Sequence, residues 1–189
     1  MSKRRFVILD RDGTIIEGVQ PYVLHPDQVA LLPGAARTLR ELKSQGFGLI
    51  VVTNQSAVGR GLIDSSRLEE IHQRFIGLLA REGVELDGIY VCTHHPDDKC
   101  VCRKPLPGLV DQAVSEHGFD LKQSFLIGDD AKDIELGHAI GATTFLVRTG
   151  HGESFLAGGL GIQPHHVVAD LPSAASVIHT LTVDRSNAA

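Results

Sequence analysis

Apolar residues run in short blocks along the chain, and these alternate with segments whose apolar positions recur at helical spacing. Arg5–Leu9 is a short apolar run that stops at Asp10, where the turn-rich Asp12-Gly13-Thr14 begins, and this predicts a buried strand ending in a functional loop. Pro33 and Gly34 precede Ala35, Leu39 and Leu42 at helical spacing, with Gly46 as a stop, so a helix leads into a second buried strand over Phe47–Thr53. Asp64 and Ser65 can cap a helix running to about Arg81, and Leu86–Cys92 makes a third strand. Leu106–His117 reads as a helix stopped by Gly118, Ser124–Ile127 as a fourth strand ending at Gly128-Asp129, Asp133–Ile140 as a helix ending at Gly141, and Thr143–Val147 as a fifth strand. The glycine-rich stretch from Gly150 to Pro164 reads as a loop, Leu171–Leu181 as a last helix, and Thr182–Ala189 as a frayed tail.

Five apolar strands alternating with helices predict an α/β fold, a doubly wound and mainly parallel sheet with helices on both faces. A length of 189 residues gives a prior near one domain, which should span residues 1–181. Ligands in such sheets bind beyond the carboxyl ends of the strands. Attention therefore falls on Asp10 and Asp12, Thr53 and Asn54, Cys92 and His94, and Asp129.

With 42% hydrophobic and 22% charged residues the composition is that of an ordinary globular protein. Net charge is -5 and the Lys and Arg residues are scattered, so no basic stripe exists to neutralise a nucleic-acid backbone. The longest apolar runs, such as Gly48–Val52, fall far short of the roughly 20 residues a membrane span needs. Met1-Ser2-Lys3-Arg4-Arg5 leads directly into a strand, and a cytoplasmic monomer without nucleic-acid or membrane partners is expected.

Asp10-Arg11-Asp12-Gly13-Thr14 sets two carboxylates two residues apart, on one side of the chain if it stays extended, so one can attack while the other moves protons. Three further pieces end on the same sheet edge: Thr53-Asn54-Gln55 with a hydroxyl and two amides, Arg103-Lys104-Pro105 with two cations, and Gly128-Asp129-Asp130 with Asp133. Each is weak alone, because a strand-ending Thr often turns and an Asp after Gly often caps a helix. Their order along the chain resembles the haloacid dehalogenase superfamily of phosphatases, whose four motifs match Asp10–Thr14, Thr53, Lys104 and Gly128–Asp133.

What the resemblance implies has a physical basis. A carboxylate about 4 Å from a phosphate dianion meets repulsion of roughly 4 kcal/mol per unit-charge pair at an effective dielectric near 20, about 8 kcal/mol in all. Cations must cancel it. Asp10 and Asp129, with the Asp12 carbonyl, are expected to hold magnesium, and Lys104 to supply a fixed positive charge while Thr53 binds the transferring phosphoryl group. Asp10 is then the nucleophile, forming an aspartyl-phosphate, and Asp12 the general acid and base. Asp133 is expected to orient Lys104 or a metal-bound water.

All three cysteines fall within Cys92–Cys102, an odd and crowded set that argues for metal or redox chemistry over a disulfide framework. Cys92 and His94, then Cys100 and Cys102, are pairs spaced by one residue, so both pairs can close on one tetrahedral zinc, with His95 facing away. Four protein ligands leave no open position, so this zinc is expected to be structural and to clamp the loop that delivers Arg103 and Lys104.

Members of the superfamily often carry an inserted cap domain, but neither Asp12–Thr53 nor Thr53–Lys104 has room for one. The core should be capless, with specificity carried by the loop Ile16–Leu24, by Asn54–Gly61 and by the zinc loop. A capless core with this zinc loop looks like the bacterial D-glycero-D-manno-heptose 1,7-bisphosphate phosphatases and is also similar to the histidinol-phosphate phosphatases. The segments Gln55–Gly61 and Cys102–Gly108 favour the heptose family, which implies a sugar-phosphate substrate met by Asn54, Gln55, Ser56, Arg60 and Arg103. Position 130 is Asp where that family usually carries a basic or small polar residue, so no substrate contact is carried onto it. A histidinol or other small phosphomonoester phosphatase is the alternative within the class, and a phosphate-binding protein without turnover is the alternative outside it.

Overall fold

The computed structural model describes residues 4–159 and 161–187. Six strands form one parallel sheet: β1 (Phe6–Leu9), β2 (Gly48–Asn54), β3 (Gly88–Cys92), β4 (Phe125–Gly128), β5 (Thr143–Val147) and β6 (His166–Val168), in the order β3-β2-β1-β4-β5-β6. β1 and β4 are buried at every residue, as expected of strands covered on both faces and read as unbroken apolar runs.

Among the described residues there are seven α-helices: α1 (Ala35–Ser44), α2 (Ser56–Gly59), α3 (Ser65–Arg81), α4 (Gly108–His117), α5 (Ala131–Ile140), α6 (Gly152–Ala157) and α7 (Leu171–Asn187). Alternate strand residues feed two cores, as the period of two requires. Val7, Leu9, Leu49, Val51 and Ile127 pack with Leu39 and Leu42 of α1, Ile71 and Phe75 of α3 and Ile178 of α7. Phe6, Ile8, Ile50, Val52 and Leu126 pack with Val110 and Ala113 of α4 and Leu136 of α5. Asp64 caps α3 by accepting from the Arg67 N–H at 2.8 Å. Gly118 and Gly141, at φ 64 and 74, end α4 and α5 in the left-handed region that glycine enters without steric cost.

Four expectations are corrected. The sheet has a sixth strand, β6, where five were expected; it is three residues long and only half-buried, so it carries no apolar run to read. The stretch Gly150–Pro164 is not all loop but contains α6. A short helix, α2, follows β2 directly. The last helix continues past Leu181 to Asn187, so most of the expected frayed tail Thr182–Ala189 is helical, while residues 188–189 lie outside the described residues.

The chain lays down β1, β2 and β3 outward in one direction, then returns to place β4 on the other side of β1. Strand order therefore reverses between β1 and β4, and the crevice at such a switch point is where open α/β sheets bind ligands. Leu9 pairs in register with Val51 on one side and Ile127 on the other, so Asp10, Thr53 and Asp129 emerge from three adjacent strands at one edge.

Candidate active site

Asp10 follows β1, its N–H bonded to the Ile127 carbonyl at 2.9 Å. Lys104, itself 4% exposed, reaches across the strand ends. Its Nζ donates to Asp10 Oδ1 at 2.6 Å, to Asp133 Oδ1 at 2.7 Å and to the Val52 carbonyl at 2.7 Å, which uses all three ammonium protons. Burial alone would lower the Lys104 pKa, but Asp10 and Asp133 outweigh it and hold the group charged. Asp133 is fully engaged, since its Oδ2 accepts from the Asp130 N–H at 3.2 Å at the start of α5.

Asp10, Asp129 and Asp133 offer oxygens that all lie within 4.8 Å of one another. Burial raises Asp10 to about 7, with Lys104 opposing and Asp133 and Asp12 adding to the rise. Burial and then the charges of Asp10 and Asp133 raise Asp129 to about 8. One ammonium thus faces three crowded carboxylates, two of them buried, an excess of negative charge that suits a divalent cation with oxygen ligands. Asp129 Oδ2 accepts from the His151 N–H at 2.8 Å, and a Cβ at either Gly13 or Gly150 would run into that carboxylate. Both glycines have positive φ, 79 and 58, so the two loops close directly on Asp129. Magnesium fits Asp10 and Asp129 better than Asp133, whose two oxygens already serve Lys104 and Asp130.

Asp12 is gripped from two sides. Arg11 donates through Nε at 3.1 Å and Nη2 at 3.0 Å, and Gln55 Nε2 donates at 2.7 Å. The same Gln55 nitrogen reaches Thr53 Oγ1 at 2.8 Å. The Asn54 side chain pairs with the peptide of Lys104, accepting from its N–H at 3.1 Å and donating to its carbonyl at 3.2 Å, so the end of β2 holds the Lys104 loop in place.

Cys92, His94, Cys100 and Cys102 come together as one cluster. Sulfur atoms of Cys92 and Cys100 are 3.7 Å apart and those of Cys100 and Cys102 3.5 Å, while His94 Nδ1 lies 3.6 Å from Cys92 and 3.2 Å from Cys102. Tetrahedral zinc, with Zn–S about 2.3 Å and Zn–N about 2.0 Å, sets sulfurs about 3.8 Å apart and sulfur–nitrogen pairs about 3.5 Å apart. The cluster therefore has zinc dimensions. Burial and the shared hydrogen bonds of Cys92 and Cys100 push the Cys102 thiol up to about 12.

The carboxylates and Lys104 line a cleft of about 230 Å³, a size for a small molecule, and the Cys–His cluster lies outside it. Its lining includes Asp10, Asp12, Thr53, Asn54, Gln55, Ser56, Arg103, Lys104 and Asp129, with residues 18–23 forming one wall. Among the described residues no domain is inserted between Asp12 and Thr53 or between Thr53 and Lys104. Arg60 is the exception among the expected substrate contacts: it is exposed at the end of α2, where its N–H bonds the Ser56 carbonyl, and it does not line the cleft. Asp130 lines the cleft but is occupied, capping α5 and pairing with Lys132 at 3.2 Å. The lining residues that the motifs did not mark are Lys132 and His151, whose Nε2 lies 2.9 Å from Gln20 Nε2. Arg11 was equally unmarked; a single Arg between two Asp gives no sign of burial.

A switch-point cleft built on two strand-end aspartates and a buried lysine defines a haloacid-dehalogenase-like hydrolase, and the HAD-hydrolase-like family model matches residues 101–174. The D-glycero-beta-D-manno-heptose-1,7-bisphosphate 7-phosphatase of Bordetella bronchiseptica is 35% identical over 171 residues, 90% of this chain and 96% of that protein. The Yersinia pestis protein of the same name is 40% identical over 152 residues, 76% of this chain and 80% of that one. The crystal structure of the D,D-heptose 1,7-bisphosphate phosphatase from B. bronchiseptica, complexed with magnesium and phosphate, matches with a TM-score of 0.87 at 34% identity, covering 94% of this chain and 99% of that chain. The chain belongs to the D-glycero-D-manno-heptose-1,7-bisphosphate 7-phosphatase family.

Proposed function

We propose that this chain is one phosphatase domain over residues 1–181, a cytoplasmic monomer that removes the 7-phosphate of D-glycero-D-manno-heptose 1,7-bisphosphate. The observation that carries the reading is the Lys104–Asp10–Asp133 cluster beside Asp129, a nucleophile held by one cation at the end of β1 among carboxylates that leave charge for a second. Asp10 attacks phosphorus and the bond to the leaving oxygen breaks, while Asp12 gives that oxygen its proton. Asp12 then takes a proton from water as the water attacks the aspartyl-phosphate, releasing phosphate and regenerating Asp10. Thr53, whose Oγ1 accepts from Gln55, retains its own proton for a phosphoryl oxygen. Asp10, Asp129 and the Asp12 carbonyl would hold magnesium, which supplies a Lewis acid against the phosphate charge. Cys92, His94, Cys100 and Cys102 would hold zinc and fix the loop that carries Arg103 and Lys104.

Arg103 supports a bisphosphate over a monoester. It lines the cleft one residue before Lys104, and its Nη1 is buried with no partner among the described residues, a charged donor available to a second phosphate. The test compares kcat/KM for heptose 1,7-bisphosphate, heptose 7-phosphate, fructose 1,6-bisphosphate and histidinol phosphate in wild type and Arg103→Ala. The heptose bisphosphate should be preferred, and Arg103→Ala should raise KM far more for it than for the 7-phosphate. Equal losses on both would remove the bisphosphate role, and a preference for histidinol phosphate would transfer the assignment to that alternative.

A further inference from the structure

Arg11 is the largest fully buried side chain among the described residues, at 0% exposure, and it stands between the two aspartates of the first motif. A guanidinium in the interior carries a large desolvation penalty, and an apolar side chain of similar volume would often stabilise a core as well or better. Packing alone therefore gives little reason for an arginine here. Its hydrogen bonds give one: Nε and Nη2 both go to Asp12, while Nη1 has no partner among the described residues. The guanidinium is committed to one carboxylate and is otherwise poorly satisfied.

His72, buried on α3, is pushed down to about 4, first by burial and then by the Arg11 charge, so this imidazole stays neutral. It adds no second cation beside the fork. Gln55 closes the grip from the end of the neighbouring strand β2, so the Asp12 carboxylate accepts three fixed N–H donors while its side chain remains 30% exposed to the cleft. A carboxylate at the start of a loop would otherwise sample several rotamers, and small displacements of a proton-transfer group are costly in rate.

We propose that Arg11 is a positioning residue, which holds the Asp12 carboxylate at the place from which it reaches the oxygen of the departing alcohol; this rests on Asp12 being the general acid. A leaving group of low pKa departs without help, whereas an alkoxide does not. Misplacing Asp12 must therefore hurt alkyl phosphates more than activated aryl phosphates.

The experiment measures kcat/KM with magnesium for a series from p-nitrophenyl phosphate to simple alkyl phosphates, in wild type, Arg11→Gln, Arg11→Lys and Asp12→Asn. Because the dependence on leaving group is a ratio within one preparation, the folded fraction cancels and residual activity suffices. Arg11→Gln should lose about tenfold more on alkyl than on p-nitrophenyl phosphate, a part of the roughly 10²–10⁴ that general acid catalysis contributes. Arg11→Lys, which keeps charge but cannot make the fork, should fall between it and wild type. If both Arg11 variants lose the same factor on every ester while Asp12→Asn loses more on the alkyl esters, Arg11 only supports the fold and the inference is overturned alone. If Asp12→Asn shows no such selectivity, the general-acid assignment fails and takes this inference with it.

Discussion

Lys104 spends its three protons on Asp10, Asp133 and a strand carbonyl, so the nucleophile is oriented before any substrate arrives. Burial still raises Asp10 to about 7, which means the fold tolerates a neutral side chain there at least as well as an anion. Asp10→Asn should consequently keep or raise the melting temperature of the metal-free protein at pH 8, while kcat falls below about a hundredth of wild type. A fully folded Asp10→Asn that kept more activity than this would exclude the covalent route. At this scale Asp10, Asp12, Thr53, Lys104 and Asp129 were legible because each follows or faces a strand end, where chemistry collects in such sheets. Arg11 was not, since a buried and a solvated arginine look alike in sequence, and the sequence did not show that Arg60 stands outside the cleft lining at the end of α2.

The Cys92–Cys102 loop is the element whose clustering was easiest to read, since paired side chains at alternate positions need only an extended chain to converge. What the spacing could not reveal is how the loop is tied to the sheet. Asn54 holds the Lys104 peptide at both ends, and a Cβ at Gly59 or Gly108 would strike the loop backbone at His95 or Val101. The Asn54–Lys104 and Gly59–His95 contacts join segments far apart in the chain. Purified protein should carry about one zinc per chain, and Cys100→Ala or Cys102→Ala should lose it, with lower thermal stability and lower activity together. Elemental analysis finding no zinc in protein prepared without chelator would contradict the clamp. The elements that escaped reading were α2, α6 and β6, all too short to establish a period, and the continuation of α7 to Asn187, where no glycine or proline marks a stop.

Across the whole molecule, the switch point between β1 and β4 gathers acidic side chains from strands far apart in sequence. Their crowding gives a pH dependence with a definite sign. Asp10 and Asp129 have folded values raised to about 7 and about 8 from 3.8, so without metal the folded state binds more protons than the unfolded one between about pH 4 and 8. Their contribution to stability is complete below pH 4 and is lost as pH rises through 7 and 8. Magnesium competes with those protons, so the rise in melting temperature on adding it to chelated protein should be larger at pH 8 than at pH 5. An equal or smaller rise at pH 8 would mean the ion does not sit among these carboxylates. No helix among the described residues is long and apolar enough to cross a membrane.

The central claim, that Asp10 accepts the 7-phosphoryl group of heptose 1,7-bisphosphate, can be met by one measurement. Protein mixed with magnesium and substrate labelled in the 7-phosphoryl group is quenched in acid before the first turnover is complete, then digested and mapped by mass spectrometry. The label should appear on the carboxylate of Asp10. Label transferred to another residue, or released as phosphate in a rapid first turnover with none ever found on Asp10, would contradict the account.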